Sequence, residues 1–169
     1  VPQMRTAPDG STSMLIGVVA PSVSDVQRLP RTLTLSVDVS GSMSGHSMIM
    51  AKEVLEDIAS NLEEGDVVSV LAWSSQVSVP LELHTVDGPN DPDLLAAIDG
   101  LATGGGTNLS DGVQRAYQIA SAAYDPSRLN RVLLLSDGGA NIGTTSADLI
   151  STHADDGEQA GIYMVGVGV

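Results

Sequence analysis

The sequence predicts an open, doubly wound α/β sheet. Apolar runs of strand length recur at residues 67–73, 131–135 and 162–169. Amphipathic helical periods lie between them, and small-residue or glycine-rich loops follow the strands. Strands alternating with helices are the mark of a mostly parallel sheet with helices on its faces.

Taken in order, residues 1–12 are polar and rich in Pro, Gly and Ser, and read as a tail. Residues 13–20, SMLIGVVA, form an extra strand that stops at Pro21, and residues 21–30 form a connector. The first strand of the main pattern is residues 32–39. Its Thr32, Thr34 and Ser36 alternate with Leu33, Leu35 and Val37, unusual for a strand covered on both faces. Met48, Ala51, Leu55, Ile58 and Leu62 repeat with a helical period until Gly65 and Asp66 break it. Residues 67–73 and 77–83 are joined by only three residues, which makes them an antiparallel pair in an otherwise parallel sheet. Asp91-Pro92 pairs an N-cap with proline at the first helical position, and Leu94, Leu95, Ile98 and Leu101 follow. After the glycine-rich stretch TGGGTNLSD comes a helix with Val113, Ala116, Tyr117, Ala120 and Tyr124 on one side. A buried strand at 131–135 ends in Ser136-Asp137-Gly138-Gly139. Ser146 caps a further helix to about residue 159, Gly161 terminates it, and residues 162–169 are the last strand. No covering element follows that strand, so the chain is expected to be truncated at its C-terminal end.

Composition narrows the function. The chain has 169 residues, 42 % of them hydrophobic, with no Phe and one Trp, so its core is aliphatic. The net charge is −14, which repels phosphate backbones and anionic lipid heads and argues against nucleic-acid and membrane-surface binding. There are no cysteines, hence no disulfide, thiolate metal site or cysteine nucleophile. No apolar stretch approaches the roughly 20 residues of a membrane span.

Three loops carry oxygen ligands to one edge of such a sheet, where open α/β folds place their sites. Asp38, Ser40 and Ser42 make D-x-S-x-S after the first strand. Thr107 is presented by Gly104-Gly105-Gly106, and Asp137 directly follows a strand. Two carboxylates and three hydroxyls, without His or Cys, suit Mg²⁺, with Mn²⁺ or Ca²⁺ as alternatives, rather than zinc. Asn108, Ser110 and Asp111 read as helix caps, Trp73 as core or rim packing, and His46, His84 and His153 as surface residues.

DVSGSM, GGGTN and LLLSDGGAN together resemble the three ligand loops of von Willebrand factor type A domains, the metal-ion-dependent adhesion site. The likeness runs from about residue 31 to 169 and extends to bacterial secreted or membrane-anchored members of the family. It implies a Rossmann-like three-layer sandwich with strand order 3-2-1-4-5, whose usual sixth strand and last helix are missing here. The final strand is then an exposed edge able to pair. The resemblance further implies that Ser40, Ser42 and Thr107 offer hydroxyls to the metal while Asp38 and Asp137 hold it mostly through water. A cation ligated mainly by neutral oxygens keeps much of its charge and takes a carboxylate from a partner protein. The expected function is therefore a non-enzymatic protein-binding module, in a secreted, periplasmic or surface-anchored setting. One alternative is a purely structural metal. Another is a haloacid-dehalogenase-type phosphatase, but its second Asp is replaced by Ser40, and the only lysine in the chain is Lys52.

Overall fold

Strand β3 (Arg31–Asp38) owes its central place to burial on both sides. The structure, a computed structural model, describes residues 3–6, 12–15, 28–138 and 161–169. It contains strands β1 (Gln3–Thr6) and β2 (Thr12–Leu15), then β3, a single 3-10 turn at Gly41–Met43 and helix α1 (His46–Ser60). Next come β4 (Val67–Trp73), β5 (Val77–Thr85), α2 (Pro92–Asp99), α3 (Leu109–Ala122), β6 (Leu129–Ser136) and β7 (Tyr163–Gly168). The main sheet has the order β5-β4-β3-β6-β7, parallel throughout except for the antiparallel β4–β5 pair. This is the doubly wound order expected from the sequence.

Alternation along β3 divides the core in two. Leu33, Leu35 and Val37 join Met48, Ala51, Leu55 and Ala59 of α1 and Leu94 and Ile98 of α2 in one apolar cluster. On the opposite face α3 supplies Val113, Ala116, Ile119 and Ala120, which pack with Leu71, Trp73, Val132 and Ile162. Helix, sheet and helix thus make the three layers. Thr32, Thr34 and Ser36 are buried as well. Helix α3 packs over this face of the sheet, and Trp73 of β4 is fully enclosed there at 0 % exposure. Gly112 makes the fit possible: a Cβ there would lie 2.6 Å from Trp73 Cγ.

The opposite end of the sheet is tied by Asp66. Arg28 donates to both of its oxygens, at 3.3 and 2.6 Å, and the backbone N–H groups of Arg31 and Glu63 donate at 2.7 and 3.1 Å. Burial pushes the Asp66 carboxyl up, but the Arg28 guanidinium and these amides more than offset it and hold it below the usual value. The edge strand β5 is guarded by Pro80, Glu82 and two register shifts, and Ser69 Oγ accepts from Leu83 N at 2.9 Å in the irregular stretch. At the other edge, β7 has only β6 as a strand partner among the described residues.

Two expectations are corrected. Gln3–Thr6, expected to be tail, is a strand paired antiparallel with Thr12–Leu15. His84, expected at the surface, is half-buried, with its Nε2 2.9 Å from Asp91 Oδ1. Asp91 caps α2 as expected, accepting from Asp93 N and Leu94 N. The helix expected from Ser146 to about 159, residues 16–20 of the extra strand, and His153 lie outside the described residues.

Two predictions follow from this packing. Gly112→Ala forces the indole and α3 apart and destabilises by roughly 2 kcal/mol, read as a lower urea midpoint at unchanged m-value. Burial raises the Asp91 carboxyl, but Asp87 N–H, His84 and Leu94 N–H outweigh it and bring it to about 2, from 3.8. A carboxyl depressed on folding stabilises above its unfolded pKa and loses that contribution as pH falls from about 4 towards 2. The urea midpoint of wild type should fall across that window, and Asp91→Asn should fall measurably less.

Candidate metal centre

Parallel strands deliver their carboxyl ends to one edge, and here β3, β4, β6 and β7 all do so. Asp38 is the last residue of β3 and lies beside Ser136, the last of β6, one step beyond the Val37–Leu135 register pair. Asp38 is 0 % exposed and Ser40 is 1 % exposed, whereas Ser42 is exposed. One Asp38 oxygen accepts from Ser40 N at 2.8 Å, and the other accepts from Ser136 Oγ at 3.0 Å. The Ser40 and Ser42 hydroxyls are 3.1 Å apart, brought together by the tight turn at Gly41–Met43. These three D-x-S-x-S residues therefore form one contiguous group.

Thr107 and Asp137 reach the same edge through the backbone around them. The glycine loop is stitched to the first loop by Gly104 N to Val39 O (2.8 Å) and Gly41 N to Gly105 O (3.1 Å). From the other side the β4–β5 turn holds it: Gly106 N donates to Ser75 Oγ at 2.6 Å, and Asn108 N donates to Ser74 O at 2.8 Å. Gly105 has φ +81°, and a Cβ on it would meet Ser75 Oγ at 3.0 Å, so the loop requires glycine at that point. Thr107 is half-exposed in this loop, and Asn108 caps α3 through Asp111 N. Asp137 is half-buried and follows the Ser136 that contacts Asp38. Sequence reasoning missed Ser74, Ser75 and Ser136. Serines in loops are common, and only the fold shows that Ser74 and Ser75 hold the glycine loop to the β4–β5 turn and that Ser136 holds the end of β6 to Asp38.

The electrostatics of this end are distinctive. Asp38 has no basic side chain in ion-pair contact among the described residues. Arg28, Arg31, Arg128 and Arg131, four of the seven Lys and Arg residues, cluster around the amino ends of β3 and β6 instead. Lys52 donates to Asp99 O, and Arg115 pairs with Glu82. A buried carboxylate compensated only by two neutral donors is a group that a cation would stabilise. The residues present fit a divalent metal. Among the described residues one further cluster could hold a metal, that of His84, Asp91 and Asp93. There, however, Asp91 accepts from three backbone amides and His84, so its oxygens are already committed.

Replacing Gly105 by Ala should cost roughly 1 kcal/mol or more, because both its positive φ and its closeness to Ser75 forbid a side chain. Gly104→Ala meets open space and should be neutral or slightly stabilising. Urea unfolding of the two variants checks the contrast.

Comparison with known proteins agrees with this architecture. The family profile of the von Willebrand factor type A domain matches residues 33–140. YfbK of Escherichia coli K12 is 28 % identical over 145 residues, which is 85 % of this chain and 25 % of YfbK. The solved von Willebrand factor type A structure from Catenulispora acidiphila superposes with a TM-score of 0.67 at 22 % identity, covering 83 % of this chain and 33 % of that one. Proximal thread matrix protein 1 of the mussel byssus, solved with a zinc-occupied MIDAS motif, gives 0.66 at 18 % identity, covering 83 % and 38 %. The chain thus spans about a quarter to two fifths of these proteins. With its fold, its three loops in order and the profile match across most of its length, the chain belongs to the von Willebrand factor type A family.

Proposed function

We propose that Asp38, Ser40, Ser42, Thr107 and Asp137 bind a divalent cation, Mg²⁺ in the first instance, and that a carboxylate of a partner protein completes its coordination. The observation that carries this reading is the Asp38 carboxylate, wholly buried at the convergence of the loops and lacking a basic partner among the described residues. When bound, the metal supplies a positive centre that attracts an anionic ligand. The oxygen-only donor set favours Mg²⁺, Mn²⁺ or Ca²⁺ over zinc, although the mussel protein was solved with zinc in its motif.

The surrounding surface suits an acidic partner. Residues 40–47, 74–76 and 103–110 contain no Asp, Glu, Lys or Arg, in a chain of net charge −14. An approaching carboxylate therefore meets neither repulsion from the rim nor a competing cationic side chain. The same absence of a base or phosphate-neutralising group argues for a binding module rather than a phosphoryl-transfer enzyme. We further propose that residues 31–169 are the domain itself, preceded by an extra hairpin and connector in 1–30, and that it works outside the cytoplasm. No helix among the described residues is long and apolar enough to cross a membrane.

Calorimetric titration should show Mg²⁺ binding to wild type and none to Asp38→Ala. Affinity capture with and without EDTA should recover a partner only when the metal is present. A partner retained by Asp38→Ala would sink the adhesion reading. A large metal-dependent gain in stability with no metal-dependent partner would assign the ion a structural role.

A further inference from the structure

We infer that Ser136 is a positioning residue for the metal centre, one that clamps the Asp38 carboxylate from the third ligand loop. The inference rests on the metal-binding reading of the site. Ser136 Oγ has two contacts with opposite roles. It accepts from Gly138 N at 3.2 Å, and it donates to Asp38 Oδ2 at 3.0 Å. A hydroxyl carries one proton, and an N–H can only donate. The Gly138 amide thus occupies an acceptor site of the oxygen, and the serine proton is the one that reaches Asp38. Gly138 has φ +75°, a left-handed backbone conformation that glycine adopts readily.

Asp38 is consequently gripped by both oxygens. Ser40 N holds Oδ1 from the first loop, and Ser136 Oγ holds Oδ2 from the β6 end. Two donors on two oxygens fix the plane of the carboxylate and leave each oxygen one further lone pair. The donors come from separate ligand loops, so the contact also locks the Asp137 segment to β3. A hydrogen bond donated to a metal-site carboxylate draws electron density from it. The cation then keeps more of its positive charge for an incoming ligand. Ser136 itself is half-buried and sits beside Asp38 at the end of the neighbouring strand, where its hydroxyl supports that carboxylate.

The test uses Mg²⁺ and Mn²⁺ alone as probes, with calorimetry for affinity and Mn²⁺ EPR for the symmetry of the bound ion. Wild type, Ser136→Ala, Ser136→Thr and Ser136→Cys are compared at a temperature where circular dichroism shows all measured variants folded. Ser136→Ala should weaken Mg²⁺ binding about tenfold or more and broaden the Mn²⁺ spectrum. Ser136→Thr keeps the hydroxyl and should restore affinity to within about threefold. If the alanine variant does not fold, the near-isosteric cysteine, a weak donor, should show the same loss. Equal Mg²⁺ affinity in wild type and in the donor-deficient variant, or a folded threonine variant as weak as alanine, overturns the positioning role while the metal site stands. Absence of Mg²⁺ heat and of any Mn²⁺ spectral change in wild type overturns the metal reading itself, and Ser136 with it.

Discussion

A desolvated carboxylate at the end of the central strand is the constraint around which this molecule is arranged. Removing an ion from water costs several kcal/mol unless its surroundings compensate. Among the described residues, Asp38 has a backbone amide and a serine hydroxyl in hydrogen-bond contact. Placing it there requires β3 to be covered on both faces and three loops to fold over its carboxyl end. Small residues in those loops follow from the same demand. Gly41 N donates to Gly105 O and joins two of these loops, and Gly105, at φ +81°, lies too close to Ser75 for a side chain.

The charge map complements this arrangement. The sheet has an arginine-rich amino end, where Arg28 and Arg128 satisfy Asp66, Asp125 and the Gly65 carbonyl, and a carboxyl end where, among the described residues, no cationic side chain pairs with Asp38. A lysine or arginine near Asp38 would neutralise it; Arg28, Arg31, Arg128 and Arg131 lie at the far end of the sheet instead. Residues 40–47, 74–76 and 103–110 at the carboxyl end carry no Asp, Glu, Lys or Arg.

Much of this was readable in the sequence. Aliphatic strands, the Asp91-Pro92 cap and the hydroxyl-and-glycine loops announce themselves through periodicity and spacing, and they recur at the expected places in the sheet. Thr32, Thr34 and Ser36 looked anomalous because alternation usually signals a solvated face. They are buried because α3 covers this face of the sheet. The Ser136–Asp38 contact joins residues 98 positions apart, and the Ser75–Gly106 contact spans 31, so no local pattern could disclose either. His84 and Asp91 are seven residues apart, a separation that has no fixed geometry until the end of β5 and the start of α2 are placed.

The Gly112–Trp73 contact has an optical corollary. The chain holds a single indole, it is wholly shielded from solvent, and its carbonyl accepts from Val39 N, directly after Asp38. Its immediate neighbour Ser74 also carries the backbone bond to Asn108 at the end of the glycine loop. The indole emission of the protein therefore originates from one residue, wired by its own main chain to the loop after β3 and the glycine-rich loop.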